Sequence, residues 1–286
     1  MTHVENKTAY PYITQFKKEP FISFAMKKSA DIKSFFLSNY EKLLNICRYW
    51  NENLLSQPNL DLEQIFWFLL LKKYLKQNIS TYKEEIYNFI IKCEVDVIEK
   101  DQLGFKLCPN STSIPDIWSL YYALMSLNTL GAIEDYLFSR GSNENSRRIL
   151  NFINDHVKSN TFSHCLDKKC EKCHYLLEEQ TLYYILELQI LLGIDVRLYK
   201  ERYKSTLTEK KKDMALIFKL LSLKFLELEF EVKEKAIDHF HQIQKSDGGY
   251  SFNSEESDIQ TTFWIVNVLE NYSWLIEYNP AKIYSY

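Results

Sequence analysis

Apolar residues recur at three- and four-residue intervals along most of the chain, the spacing of one face of a helix. Ile86, Phe89, Ile90, Cys93 and Val97 form one such face, and Ile149, Leu150, Ile153 and Val157 another. No stretch alternates strongly enough to compete as a strand. The pattern predicts helices at about 29–49, 60–76, 82–99, 116–130, 146–157, 178–192, 195–205, 210–228, 231–245 and 258–275. Asn59 is a candidate N-cap, and Gly131 a candidate C-cap. Polar or Gly/Pro-marked loops fall at 101–115, 140–145 and 158–176.

The predicted helices fall into two kinds. Asp61-Leu62-Glu63-Gln64-Ile65-Phe66-Trp67 begins one kind, and related segments begin at Asp116, Glu178, Asp213 and Asp258. An acid is followed by a small or polar residue three later and by aromatics five and six later. The copy at Asp213 is the faintest, with Lys219 in the second aromatic place. The lead-ins also correspond: Gly104-Phe105-Lys106-Leu107-Cys108, Thr161-Phe162-Ser163-His164-Cys165 and Gly249-Tyr250-Ser251-Phe252-Asn253. Helices of the other kind are polar on one face. Helical hairpins of this sort cannot bury their apolar faces alone, so they must stack, as an open solenoid or a closed ring. The contrast between aromatic and amphipathic helices suits a ring with the aromatic set inside.

Gln244-Lys245-Ser246-Asp247-Gly248-Gly249-Tyr250, followed by Asp258, Thr261 and Phe263-Trp264, resembles the repeat of the prenyltransferase β-subunit and squalene-cyclase (terpenoid cyclase) superfamily. The resemblance spans about 60–275. It implies an all-α fold, an α/α toroid of about five repeats around an apolar cavity, and isoprenoid substrates such as an isoprenyl diphosphate or another apolar small molecule. It leaves room for a protein partner subunit. Two departures stand out. Protein prenyltransferases bind zinc through an Asp, a Cys two residues later and a His from a later repeat. Here Asp213 is followed by Ala215, and Thr261 stands at the His position. The acid motif Asp-x-Asp-Asp of the cyclases is absent, and Cys93-Glu94-Val95-Asp96 does not match it.

The bulk composition narrows the picture. The 286 residues are 46% hydrophobic and 15% aromatic, enough for a large core. The expected division is an irregular segment at 1–20, one toroid domain at 21–275 and an irregular tail at 276–286. A net charge of −3 makes no electrostatic case for nucleic acid. No charge-free apolar run reaches the length of a membrane span, and no secretory leader is visible. With six cysteines, this points to a reducing, cytoplasmic setting.

Four constellations could carry chemistry. Cys165, Cys170, Cys173 and His174 lie close together in one loop, and the lead-in alignment adds Cys108 with His164 as an alternate. Thiolate and imidazole suit tetrahedral Zn²⁺, structural more readily than catalytic; plain thiols or a redox pair are the alternatives. Trp67, Trp118, Tyr122, Tyr184 and Trp264 could line a prenyl or carbocation pocket, or simply fill the core. Asp213, Asp258 and Glu178 are candidate catalytic acids, against a capping role at helix starts. Lys210, Lys212, Arg147 and Arg148 could meet a diphosphate, or form solvated charge runs. These readings favour an isoprenoid-handling enzyme. A zinc-stabilised, non-catalytic scaffold for a protein or lipid is the main rival, and a toroid acting on a sugar or peptide through paired carboxylates a third.

Overall fold

The computed structural model describes residues 59–138, 143–158, 162, 164, 165, 167, 170, 177–201, 203, 213–228, 233–246 and 249–272. Within them, the five aromatic-bearing segments form α1 (Leu62–Tyr74), α3 (Ile117–Thr129), α6 (Glu178–Leu191), α7 (Asp213–Phe225) and α9 (Ile259–Asn271). Between these lie α2 (Lys83–Lys92), the short α4 (Ile133–Phe138), α5 (Glu144–Lys158) and α8 (Lys233–Ile243). The expected helix before residue 58, the C-terminal tail and the turn at Asp247-Gly248 lie outside the described residues.

The aromatic-bearing helices are the inner ones. In α6 every residue from Glu179 to Gln189 is buried, whereas α8 buries only Ala236 and Phe240. A helix that is apolar nearly all round belongs in the middle, and one with a single apolar stripe belongs outside. α1 packs on α3, α3 on α6, α6 on α7 and α7 on α9. The ring closes where Trp67 of α1 meets Phe263 and Trp264 of α9, at 5.5 and 6.3 Å between ring centroids. α3 and α6 run parallel: Trp118 bonds Thr181 near both N-termini, and Tyr121 bonds Glu187 further along. The result is a predominantly helical α/α toroid with its core at the centre of the ring.

Capping explains the sequence signature. Asp61 accepts a hydrogen bond from the Gln64 amide at 2.8 Å, Asp116 from the Ser119 amide at 2.8 Å and Asp258 from the Thr261 amide at 2.6 Å. An acid with a small or polar residue three positions later is therefore an N-cap satisfying an orphan N–H. Asp61 and Gln64 complete a reciprocal capping box. In α6 the cap position falls on Leu177, which makes no side-chain bond, so Glu178 stands in the first turn.

The inner helices also end alike. Lys76, Gly131, Gly193 and Glu227 all have positive φ, at 53°, 63°, 80° and 51°. After each, the next amide bonds back into the last turn: Gln77 to Lys72, Ala132 to Leu127, Ile194 to Gln189 and Leu228 to Leu223, each at 2.9 Å. This is one C-terminal motif repeated four times. Two of its four positions carry side chains that disfavour the left-handed conformation. Replacing the exposed Lys76 with glycine should raise unfolding free energy by about 0.5–1 kcal/mol, and Gly131→Ala should lower it by a similar amount. Denaturant titration of both variants checks the opposite signs.

Counting back from these termini corrects the faintest repeat. Phe218, not Lys219, occupies the place held by Trp67, Tyr122 and Tyr184. The copy is out of register by one residue, and Asp213 lies inside the first turn of α7 rather than at its cap.

A second correction concerns 94–105. The expected helix to Glu99 stops at Lys92, and the chain forms an antiparallel hairpin of β1 (Glu94–Val97) and β2 (Gln102–Phe105), with Glu94 opposite Phe105 and Val97 opposite Gln102. Val95 and Val97 favour strand, and Asp101 makes the turn with φ 50°. Tertiary contacts hold it there. Gln102 donates to Asp155 at 2.7 Å, Tyr136 donates to Glu94 at 2.7 Å, and Arg148 reaches Asp96 and the Gln102 carbonyl. Gly104 is the tight point, since a Cβ there would lie 2.7 Å from Pro115 Cβ.

Candidate functional site

The centre of the ring is built from aromatic side chains contributed by all five inner helices. Phe66 on α1 packs against Tyr121 and Tyr122 on α3, at 5.7 and 5.5 Å. Tyr121 stacks on Tyr184 of α6 at 3.7 Å. Phe218 of α7 meets Trp264 of α9 at 5.0 Å, and Tyr183 of α6 reaches Trp264 at 5.5 Å. Tyr122, Tyr184 and Trp264 are almost fully buried, while Trp67 and Trp118 are half-buried. The structure thus brings all five expected aromatics to the centre and its margin, and adds Phe218.

Two carboxyls enter this cluster that the repeat pattern did not single out. Glu63 accepts from the Tyr122 hydroxyl at 3.2 Å and from the Trp67 indole N–H at 3.5 Å. Glu187 accepts from the Tyr121 hydroxyl at 2.8 Å. Burial raises the pKa of both, only partly offset by those hydrogen bonds. Burial also pushes the Tyr121, Tyr122, Tyr183 and Tyr184 hydroxyls up, so they act as neutral donors. The two hydroxyls of Tyr122 and Tyr184 lie 3.4 Å apart, and Gln180 donates to the latter at 2.7 Å. The available signal was Glu187 itself, an acid three residues after an aromatic pair on an otherwise buried helix.

The expected catalytic acids do not converge there. Asp258 is occupied as the cap of α9, and Glu178 is exposed in the first turn of α6. Asp213 is exposed and faces His239 Nε2 at 3.4 Å. Of the expected diphosphate ligands, Arg147 pairs with Asp101, and the buried Arg148 pairs with Asp96 and Asp101. Both arginines fasten the hairpin to α5, away from the aromatic centre. Lys210 and Lys212 lie outside the described residues.

The cysteines divide into two places. Leu107 accepts a bond from the Leu62 amide at the start of α1, at 2.9 Å; its counterpart His164 accepts from the Ile117 amide at the start of α3, at 2.8 Å. Corresponding lead-in loops therefore sit on successive inner-helix N-termini, a helix spacing of roughly 8–10 Å apart. Cys108, which the lead-in alignment added to the cysteine cluster, is not among the donors that gather around Cys165 in the described residues. Cys108 lies instead near the buried Cys93, whose thiol burial pushes up to about 12 with Cys108 adding to the rise. His164, Cys165 and Cys170 come together, their ligand atoms all within 4.8 Å of one another. Cys173 and His174 lie outside the described residues.

A closed ring of helical hairpins with capped inner helices and an aromatic centre defines an α/α toroid. The prenyltransferase alpha-alpha toroid domain matches residues 39–186 and 194–286, and the chain belongs to that family. No curated protein matches the chain. The catalytic zinc of protein prenyltransferases does not fit the residues here. In the corrected register of α7 the thiolate place falls on Met214 rather than Ala215, and neither supplies a thiolate; Thr261 has no imidazole, and its amide serves the Asp258 cap. Among the described residues, no helix is long and apolar enough to cross a membrane.

Proposed function

We propose that this toroid binds a prenyl chain, or an apolar chain of similar shape, against its central aromatic cluster. The observation that carries the reading is Trp264: its indole N–H is buried at the meeting point of α6, α7 and α9, with no hydrogen-bond partner among the described residues. A buried donor left unmatched is uncommon, and an oxygen on a bound ligand would satisfy it. The half-buried Trp67, Trp118 and Phe263 border the same cluster and offer flat apolar faces to a chain entering from the margin. The proposal does not include a diphosphate site on Arg147 or Arg148, because Asp96 and Asp101 already engage them.

If the ligand is chemically transformed, Glu63 is the acid placed to take part. It is half-buried, burial raises the pKa of its carboxyl, and Tyr122 and Trp67 orient it. A second reading, a non-catalytic scaffold, is favoured by the Tyr183–Trp264 contact at 5.5 Å, which packs aromatic rings of α6 and α9 directly against each other.

Fluorescence titration separates the two, because Trp67, Trp118 and Trp264 all lie in or beside the cluster. Farnesyl and geranylgeranyl diphosphate, and the corresponding alcohols, should each give a saturable change. Trp67→Ala should weaken binding about tenfold, near 1.4 kcal/mol. A folded protein giving no saturable change with any of these would leave the scaffold reading standing. Equal affinity for alcohol and diphosphate would confirm that the chain, not the charge, is recognised.

A further inference from the structure

We propose that His164, Cys165 and Cys170 hold a tetrahedral Zn²⁺ ion that fastens the loop between α5 and α6 to the N-terminus of α3. Cys170 Sγ lies 3.9 Å from His164 Nδ1 and 3.8 Å from Nε2, and all three donors fall within 4.8 Å of one another. Zinc bonds of about 2.3 Å to sulfur and about 2.0–2.1 Å to nitrogen place tetrahedral ligands roughly 3.6–3.8 Å apart. The ring and the sulfur therefore already stand near the separation that one shared ion imposes. Contraction of a few tenths of an ångström to about an ångström closes the rest.

The surroundings favour a structural ion, with the fourth tetrahedral position left to a further ligand. His164 and Cys165 are buried, at 7% and 3% exposure. The Cys170 amide donates to the Asp167 carbonyl at 3.1 Å, so a turn brings Cys170 back toward Cys165. The same His164 whose ring joins the cluster accepts, through its carbonyl, the orphan Ile117 amide at the head of α3 at 2.8 Å. An ion on the ring thus fixes the carbonyl that caps an inner helix. Thiolate and imidazole donors select zinc over hard cations. This site is separate from the positions of Ala215 and Thr261, and it does not depend on the chain-binding reading of the aromatic centre.

The test uses the full chain purified without added metal. Elemental analysis should find roughly one zinc per molecule. Removing it with a chelator should lower the melting temperature, and zinc should restore it. Cobalt(II) added to the stripped protein should give thiolate-to-metal charge-transfer absorption that saturates at one equivalent. Cys165→Ser with Cys170→Ser should abolish that absorption, and Cys108→Ser should leave it unchanged. Retention of full cobalt–thiolate absorption by the double variant would overturn the proposal, as would its loss in Cys108→Ser alone. If the double variant does not fold, the stripped wild-type protein decides: no thiolate absorption with cobalt means no site.

Discussion

Trp264→Ala should lower the unfolding free energy by about 3–5 kcal/mol. Trp264 is 1% exposed and is touched by aromatic rings from three other inner helices: Trp67 at 6.3 Å, Tyr183 at 5.5 Å and Phe218 at 5.0 Å. Its removal deletes a large apolar surface and leaves a cavity that rigid neighbours cannot fill, so transfer and cavity terms add. The loss is concentrated where α9 meets α1, so the ring should open there first. Trp264→Phe keeps most of the contact area and removes the buried N–H, and should cost much less, about 1 kcal/mol. Trp118→Ala at the half-buried margin should fall between, since it loses one bond to Thr181 and partial burial. Chemical denaturation followed by circular dichroism gives all three values. A Trp264→Ala loss below about 1 kcal/mol would mean that α9 is not what closes the ring.

The second large effect is loss of stability in mild acid. His156 is fully buried on α5, its Nδ1–H donates to the Phe152 carbonyl at 3.0 Å, and burial lowers its pKa to about 4 from 6.5. Asp155 opposes that shift, while His164 and Lys100 reinforce it. Between pH 6.5 and 4 the unfolded chain therefore binds a proton that the folded chain does not. Stability is fully present above 6.5 and falls as the pH drops through this window, by up to about 3 kcal/mol. His156→Gln, which cannot titrate, should flatten that slope. Glu63 and Glu187 act with the opposite sign. Their folded pKa values are raised, so they favour the folded state in acid, and that contribution is lost as pH rises through their folded values. Glu187→Gln should accordingly remove a descending limb above pH 4.5 while keeping an acceptor for Tyr121. Stability measured across pH for the parent and both variants separates the two limbs. An unchanged acid slope in His156→Gln would rule out His156 as its source.

Much of this architecture is legible in the amino-acid order because it rests on local physics. Asp61, Asp116 and Asp258 cap the amides three residues on, an interaction completed within one turn of helix. The aromatic pairs follow at a fixed interval from those caps, so helix geometry alone puts Trp67, Tyr122 and Trp264 on corresponding faces. Contrast between inner helices buried nearly all round and outer helices with one stripe reports burial directly. Those features were sufficient for stacked helical hairpins with an aromatic set of helices, while closure into a ring rested on the family resemblance and is made by Trp67 against Phe263 and Trp264.

Other features needed the third dimension. The hairpin at 94–105 carries a helix-compatible pattern and becomes strand because α5 and α4 supply Arg148, Asp155 and Tyr136 to hold it. The register of α7 shifts by one because the left-handed terminus at Glu227, not the acid at Asp213, sets its alignment with its neighbours. Cys108 and Cys165 share a place in the repeat, and their lead-in loops sit on successive helix starts. The pairing of Glu63 with Tyr122 and of Glu187 with Tyr121 joins residues from different helices. Caps, periods and burial contrast act within a turn or along one face, so the sequence by itself determines them. Which side chains meet across the ring depends on how five helices pack, and only the tertiary structure decides it.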